Sequence, residues 1–264
     1  MNMNSLSREG YVYKAVRFSI HDGPGIRTLF FFQGCPLNCL WCCNPESRPE
    51  AIQKFACQNR LLQWQRPVTI GELVDLATRD IVYYRYSGGG VTLTGGEVLL
   101  QDEFARELLY EVRKKGIHTA IETSGYSSPM ALNRVLEHVD LVLLDIKHID
   151  SEQHRLFTGV DNKLILNNAQ EIHSRKIPII IRIPLIPGYN DSEDILHMLG
   201  CFVRDKLPDV RRLCLLKYHN FALNKYREMN IEYPLESLPI PTDEQMMTAC
   251  AILQEYVEHV QLGG

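Results

Sequence analysis

The feature that most constrains this chain is an alternation, from about residue 90, of short apolar β-rich runs with amphipathic stretches. VTLTG (91–95) is followed by DEFARELLYEVRKKG (102–116), where Phe104, Leu108, Leu109 and Val112 recur at helical spacing. HTAIET (118–123) leads to a helix expected to begin near Pro129, because proline suits a first helical turn. LVLLDIK (141–147) is an apolar strand ending in charges, and PIIIRI (178–183) is another. NDSEDILHMLGCFVRDK (190–206) opens with capping residues Asn190, Asp191 and Ser192 and predicts a helix. RLCLLKY (212–218) is the sixth strand when TLFFFQG (28–34) is counted as the first, and TDEQMMTACAILQEYVEH (242–259) predicts a closing helix capped by Thr242.

Apolar strands alternating with helices imply an α/β fold with a parallel sheet covered by helices. Six strand–helix units fit a partial (β/α)6 barrel, one domain over residues 1–264, better than a full eight-unit barrel. An open doubly wound sheet is the alternative that the pattern leaves standing. In either fold the C-terminal strand ends gather the site. Here they carry Cys35, the TGGE of 94–97, Glu122, Thr123, Asp145, Lys147, Arg182, Lys217 and His219. The segment 45–66 lacks periodicity and is expected to be a long loop over one face.

A net charge of -4 offers no general basic field for nucleic acid or an anionic membrane surface, so neither is expected as a partner. The N-terminal MNMNSLSREG (1–10) has no apolar core of a secretion signal. IPIIIRIPLIP (177–187) is short and broken by Arg182 and three prolines, which excludes a membrane span there. The expected location is cytoplasmic, where cysteines stay reduced as thiols or metal ligands.

GCPLNCLWCCNPES (34–47) holds four of the eight cysteines. Cys35, Cys39 and Cys42 are spaced C-x3-C-x2-C. Structural zinc usually draws two close pairs, and the second pair is absent here. Cys201, Cys214 and Cys250 are isolated within predicted helix or strand, where a buried free thiol is the ordinary explanation. Thiolates on one loop can instead hold three irons of a cubane, leaving a fourth open to a small molecule.

This spacing, with Trp41 just before the last cysteine, resembles the radical S-adenosylmethionine (SAM) superfamily. The longer run SIHDGPGIRTLFFFQGCPLNCLWCCNPES (19–47) is similar to the activating enzymes of glycyl radical enzymes. The similarity continues in order through SGGGVTLTGGE (87–97), ETSG (122–125), LLDIK (143–147), IRIPLIPGYND (181–191) and LLKYH (215–219), and so covers nearly the whole chain.

The resemblance implies that Cys35, Cys39 and Cys42 ligate one [4Fe–4S] cluster whose open iron chelates SAM. Trp41 would flank the adenine, and Cys43 would neighbour SAM rather than bind iron. Gly95, Gly96 and Glu97 would lie at the methionine end. Asp145 and Lys147 would hold the SAM carboxylate or ribose, with Arg182 and His219 extending the same rim. Glu122, Thr123 and Asp145 would mark a monovalent cation. Asp22, Gly23, Pro24, Gly25 and Arg27 would border the groove that admits the partner's glycine loop.

Plainer readings stand beside these: Trp41 as a core aromatic, Asp145 and Lys147 as an ion pair, 22–25 as a Pro-Gly turn, and 94–97 as a strand-end turn. The triple glycine 88–90 is expected to loosen an entrance loop. No side chain beyond the cluster and SAM is expected to be catalytic.

The implied activity is reductive cleavage of SAM to a 5′-deoxyadenosyl radical that takes hydrogen from a glycine of a partner enzyme. The partners are then a glycyl radical enzyme and a flavodoxin or ferredoxin as electron donor, and the chain is expected to be a monomer. The alternatives are a radical SAM enzyme acting on a small molecule, and an iron–sulfur redox carrier or sensor. Activases with this wording often carry a ferredoxin-like insert after the cysteine motif. Here that segment holds only Cys57, and one cysteine cannot anchor a further cluster.

Overall fold

The computed structural model describes residues 3–48, 63–64, 66–210 and 212–263. Cys57 and most of the expected loop 45–66 lie outside the described residues. Within that stretch Pro45–Ser47 forms a 3-10 turn, and the backbone N–H groups of Gln63 and Trp64 donate to the Tyr13 carbonyl.

In chain order the strands are β1 Glu9–Gly10, β2 Val12–Ser19, β3 Arg27–Phe32, β4 Val68–Thr69, β5 Gly90–Gly95, β6 His118–Thr123, β7 Leu141–Asp145, β8 Ile179–Leu185, β9 Arg212–Lys217 and β10 Val260–Leu262. β1 and β4 pair with each other, and the other strands build an incomplete sheet core, mixed in strand direction and flanked by helices, as a partial barrel requires. The chain divides into two compact units. One comprises Met1–Pro36, Asn44–Thr123 and Ser127–Val142; the other comprises Leu37–Cys43, Ser124–Tyr126 and Leu143–Gly264.

In the first unit the strand order is β2-β3-β5-β6, with β3, β5 and β6 parallel and β2 antiparallel on β3. Arg27 pairs with Gly90 at one end of β3 and Phe32 with Gly95 at the other. Leu29, Phe30, Val91, Leu93 and Ile121 are buried, as expected for strands covered on both faces. Helices Ile70–Thr78, Ile81–Ser87, Asp102–Lys114 and Pro129–Leu136 accompany them. Thr69 and Glu72 form a capping box on the first, and Ser128 caps the last just ahead of Pro129.

In the second unit β8, β9 and β10 run parallel side by side. Helices Ser151–Thr158, Lys163–Ser174, Glu193–Lys206, Leu223–Glu228 and Asp243–Gln254 surround them, the last opened by a Thr242–Gln245 capping box.

Three local expectations change. β2 adds an edge strand, rich in β-branched and aromatic residues, whose alternation is blurred by irregular pairing near Val12 and Val16. The closing helix ends at Gln254, and Val260 then pairs with Leu213 in β10. Asn190 and Asp191 do not cap the following helix. The Asn190 side chain accepts from Ile186 N and donates to the carbonyls of Lys147 and Pro184, while Asp191 accepts from Gly188 N, so both hold the turn after β8. Among the described residues, no helix is long and apolar enough to cross a membrane.

Candidate functional site

Cys35 belongs to the first unit, and Cys39, Cys42 and Cys43 to the second. None of these four is in a disulfide: Cys39 is buried, Cys35 and Cys42 are half-buried, and Cys43 is exposed.

In the first unit, three segments distant in sequence are fastened around the end of β3. Gly34 N donates to Ser47 O at 2.7 Å, Glu97 N donates to Gly34 O at 2.7 Å, and Asn44 Nδ2 donates to Gly95 O at 3.2 Å. Gly95 has φ +114°, and a Cβ on Gly96 would sit 2.0 Å from the Gly34 carbonyl oxygen. The TGGE turn can therefore close on the start of the cysteine loop only without side chains at these two positions. Glu97 is buried and accepts from Thr123 Oγ1 at 2.6 Å and from Leu99 N at 3.1 Å. Glu122 accepts from Thr94 Oγ1 at 2.7 Å.

Arg27 is fully buried. It donates to Thr92 Oγ1 and Val91 O at 2.6 Å each and to Pro24 O at 3.2 Å. Burial lowers its pKa to about 10, which still leaves it charged at neutral pH. Its guanidinium thus ties the DGPG turn from inside, and Thr92 Oγ1 adds a bond to Asp22 O at 2.8 Å. The triple glycine is not a loosened loop. A Cβ on Gly89 would lie 1.9 Å from Ile26 O, and one on Gly90 would lie 2.0 Å from His118 O, so these glycines permit close backbone approach at the start of β5.

In the second unit the backbone of residues 37–43 is anchored at several points. Asn38 N and Leu40 N donate to the carbonyls of Thr158 and Phe157, which end helix Ser151–Thr158. Trp41 is buried against Phe157 and Tyr189, with ring centroids 6.4 and 6.1 Å away. Its indole Nε1 has no hydrogen-bond partner among the described residues. Sequence reasoning missed two further anchors: Tyr226 Oη donates to Cys42 O at 3.2 Å, and Lys225 Nζ to Cys43 O at 2.8 Å. They lie beyond the LLKYH run of 215–219, and no motif pointed to them.

Lys147 Nζ lies 2.9 Å from Asp145 Oδ2, and Arg182 Nε lies 3.8 Å from Asp145 Oδ1. Asp145 is thus flanked by two cationic side chains, and all three are largely buried. His219 stacks on Phe221 at 4.2 Å, and burial lowers its pKa, favouring a neutral ring.

Among the described residues, no three His, Cys, Asp or Glu side chains gather around one metal-ion position. A cubane does not ask for that, because each thiolate takes a different iron. Three thiols spaced C-x3-C-x2-C offer donors of that chemistry.

The Radical SAM superfamily profile matches residues 29–199. The choline trimethylamine-lyase activating enzyme of Oleidesulfovibrio alaskensis is 34% identical over 95% of this chain and 97% of its own length. The pyruvate formate-lyase-activating enzyme of Staphylococcus aureus is 37% identical over 91% of this chain and 94% of its own. This chain belongs to the radical SAM superfamily, among the glycyl-radical-enzyme activases. A crystal structure of a domain of pyruvate-formate lyase-activating enzyme from Bacteroides vulgatus superposes with TM-score 0.57 at 31% identity, covering 67% of this chain and 99% of that one. The activase is accordingly an oxidoreductase that cleaves SAM by radical chemistry and acts on a glycyl radical enzyme. Family membership also implies use of an iron–sulfur cluster.

Proposed function

We infer that Cys35, Cys39 and Cys42 hold a single [4Fe–4S] cluster, and that Asp145, Lys147, Arg182 and His219 receive SAM. What supports this reading is the C-x3-C-x2-C spacing within the Radical SAM match and, in the second unit, a largely buried Asp145 flanked by Lys147 and Arg182. With the cluster and SAM bound, one electron yields methionine and a 5′-deoxyadenosyl radical that abstracts hydrogen from a glycine Cα.

The chain's own residues bind and orient. Lys147 and Arg182 offer charge to the SAM carboxylate, and a neutral His219 offers a ring nitrogen and a stacking face. Trp41 presents a buried indole N–H that a ligand acceptor could satisfy. Gly95 and Gly96 keep the TGGE turn low enough for the methionine end. The DGPG turn, fixed by Arg27, borders the entry of the partner's glycine loop. A flavodoxin or ferredoxin supplies the electron, and the activase works as a monomer. The named partners of the two relatives differ, so the identity of the glycyl radical enzyme rests on trial with candidate partners.

The test is anaerobic: reduced activase, SAM and candidate glycyl radical enzymes, starting with any encoded beside it. A persistent organic radical is expected, and deuterium on the partner's glycine Cα should move into 5′-deoxyadenosine. Cleavage of SAM with deuterium drawn instead from a metabolite would replace this reading with the small-molecule one.

A further inference from the structure

The first unit carries an exposed aromatic surface that the cofactor site does not use. Phe18 adopts φ +62°, a left-handed conformation unfavourable for a residue with a side chain. The consequence is an outward ring set edge-on to Tyr83 at 5.1 Å, with the Arg17 guanidinium 5.1 Å over the Phe18 ring. Helix Ile81–Ser87 buries only Tyr84 and presents Val82, Tyr83, Arg85 and Tyr86. Tyr86 is 90% exposed and Ile20 is 64% exposed. Exposed apolar residues grouped in this way mark contact surfaces, and Tyr, Phe and Arg are the residues enriched in interface cores.

The charge of this surface opposes that of the chain. Against a net charge of -4 overall, residues 17–20 and 79–89 hold Arg17, Arg79 and Arg85 with one carboxylate, Asp80, and Asp22 follows in the adjoining turn. Asp80 is buried and bound by Arg17, which leaves Arg79 and Arg85 as the exposed cations of these segments.

The location selects the partner. Ser19 pairs with Arg27, which places the patch at the N-terminal end of β3, whereas the cysteine loop leaves the C-terminal end. A six-residue strand separates them by roughly 20 Å. An electron donor has to approach the cysteine loop, so this surface is misplaced for it. It is instead continuous with the DGPG turn, since Ile26 N donates to Ser87 Oγ at 2.9 Å.

We propose that this arginine-rimmed aromatic patch anchors the folded body of the glycyl radical enzyme, through carboxylates around an apolar recess on that partner. The proposal rests on the activase reading. It separates holding the partner from admitting its glycine loop, so that a short loop peptide can react without using the patch.

The experiment compares Arg85→Glu and Tyr86→Ser with wild type, both substitutions lying at exposed positions. With the whole glycyl radical enzyme and a chemical reductant, the apparent KM should rise roughly tenfold in each variant. With a peptide copying the glycine loop, 5′-deoxyadenosine formation should stay at the wild-type level. Added salt should weaken wild type on the whole partner more than Arg85→Glu.

Unchanged activation of the whole partner by both variants overturns the proposal, as does equal loss on peptide and partner. A defect seen only with flavodoxin as reductant would assign the patch to the electron donor. Concentration-dependent dimers of wild type that the variants abolish would assign it to self-association. Wild type that activates no partner and labels no peptide would overturn the activase reading itself, a result distinct from all of these.

Discussion

Lys225 donates a hydrogen bond of 2.8 Å to the carbonyl of Cys43, a residue 182 positions earlier. Its neighbour Tyr226 donates to Cys42 O and packs its ring 4.8 Å from Tyr233, whose hydroxyl lies 3.1 Å from that of Tyr218. The exit of the cysteine loop is thus held by a short helix from the far end of the chain. A net hydrogen bond contributes about 0.5–1.5 kcal/mol. Lys225→Met should therefore leave iron stoichiometry unchanged but speed loss of cluster absorbance under chelator by about two- to tenfold. Tyr226→Phe keeps the ring packing and should show the smaller effect.

Gly96 is tested by Gly96→Ala. The added methyl would meet the Gly34 carbonyl at 2.0 Å, and backbone on both sides cannot yield without parting β3 from the TGGE turn. A loss of about 1–3 kcal/mol is expected, read as a lowered thermal midpoint. Cluster loading should fall with it, because Gly34 directly precedes Cys35. A variant as stable as wild type would show that the turn has another way to close.

Much of this was legible because it is local. Thr242 declares its helix by capping chemistry within three residues, Pro129 marks the first turn of another, and the fully apolar strands declare burial on both faces. What escaped depends on partners that leave no trace in composition. Lys225 and Tyr226 bind backbone carbonyls, which every residue has. Arg27 is expected to border the partner-loop groove, yet its guanidinium is buried and donates to Thr92, Val91 and Pro24. Gly89 looks like slack and is in fact a close approach to Ile26.

Asp80 gives a pH-dependent prediction. Its carboxylate accepts from Arg17, closely through both oxygens, and from Thr28 Oγ1 at 3.2 Å. The Arg17 bonds hold its pKa below the ordinary 3.8, outweighing burial. A carboxyl that binds its proton less readily when folded adds stability that is present above 3.8 and lost as pH falls through the folded value. Asp80→Asn should cost about 1–3 kcal/mol at neutral pH and flatten the acid limb of the stability curve. Urea midpoints of both proteins from neutral pH to pH ~3 check this, and parallel curves would remove Asp80 from the acid response.

The SAM-binding set predicts that Lys147→Ala keeps full iron content while losing SAM affinity. Its ammonium lies 2.9 Å from Asp145, so removal also leaves that carboxylate less neutralised where the SAM carboxylate would approach. A charged contact is worth about 1.5–3 kcal/mol, which makes the expected weakening roughly tenfold or more. Equilibrium binding to the reconstituted protein measures it, and wild-type affinity would place Lys147 outside the site.

The adjacent cysteines Cys42 and Cys43 allow the sharpest test of the ligand set. Consecutive side chains on one loop cannot both turn toward the same cubane easily, and here they differ in setting. Cys42 is half-buried, and Cys43 is exposed with its thiol 3.7 Å from Trp41 O. On the proposed assignment, replacing Cys35, Cys39 or Cys42 by Ala removes one of the three ligands and leaves a second iron without a thiolate. Each should abolish the cluster on anaerobic reconstitution, whereas Cys43→Ser should retain a single one. Iron and sulfide counting, together with the spectrum of the reduced protein, separates the two outcomes. A cluster that survives Cys42→Ala but not Cys43→Ser would exchange their roles. Reproducibly higher iron with two reduced spectra would add a site that the three-cysteine motif does not provide.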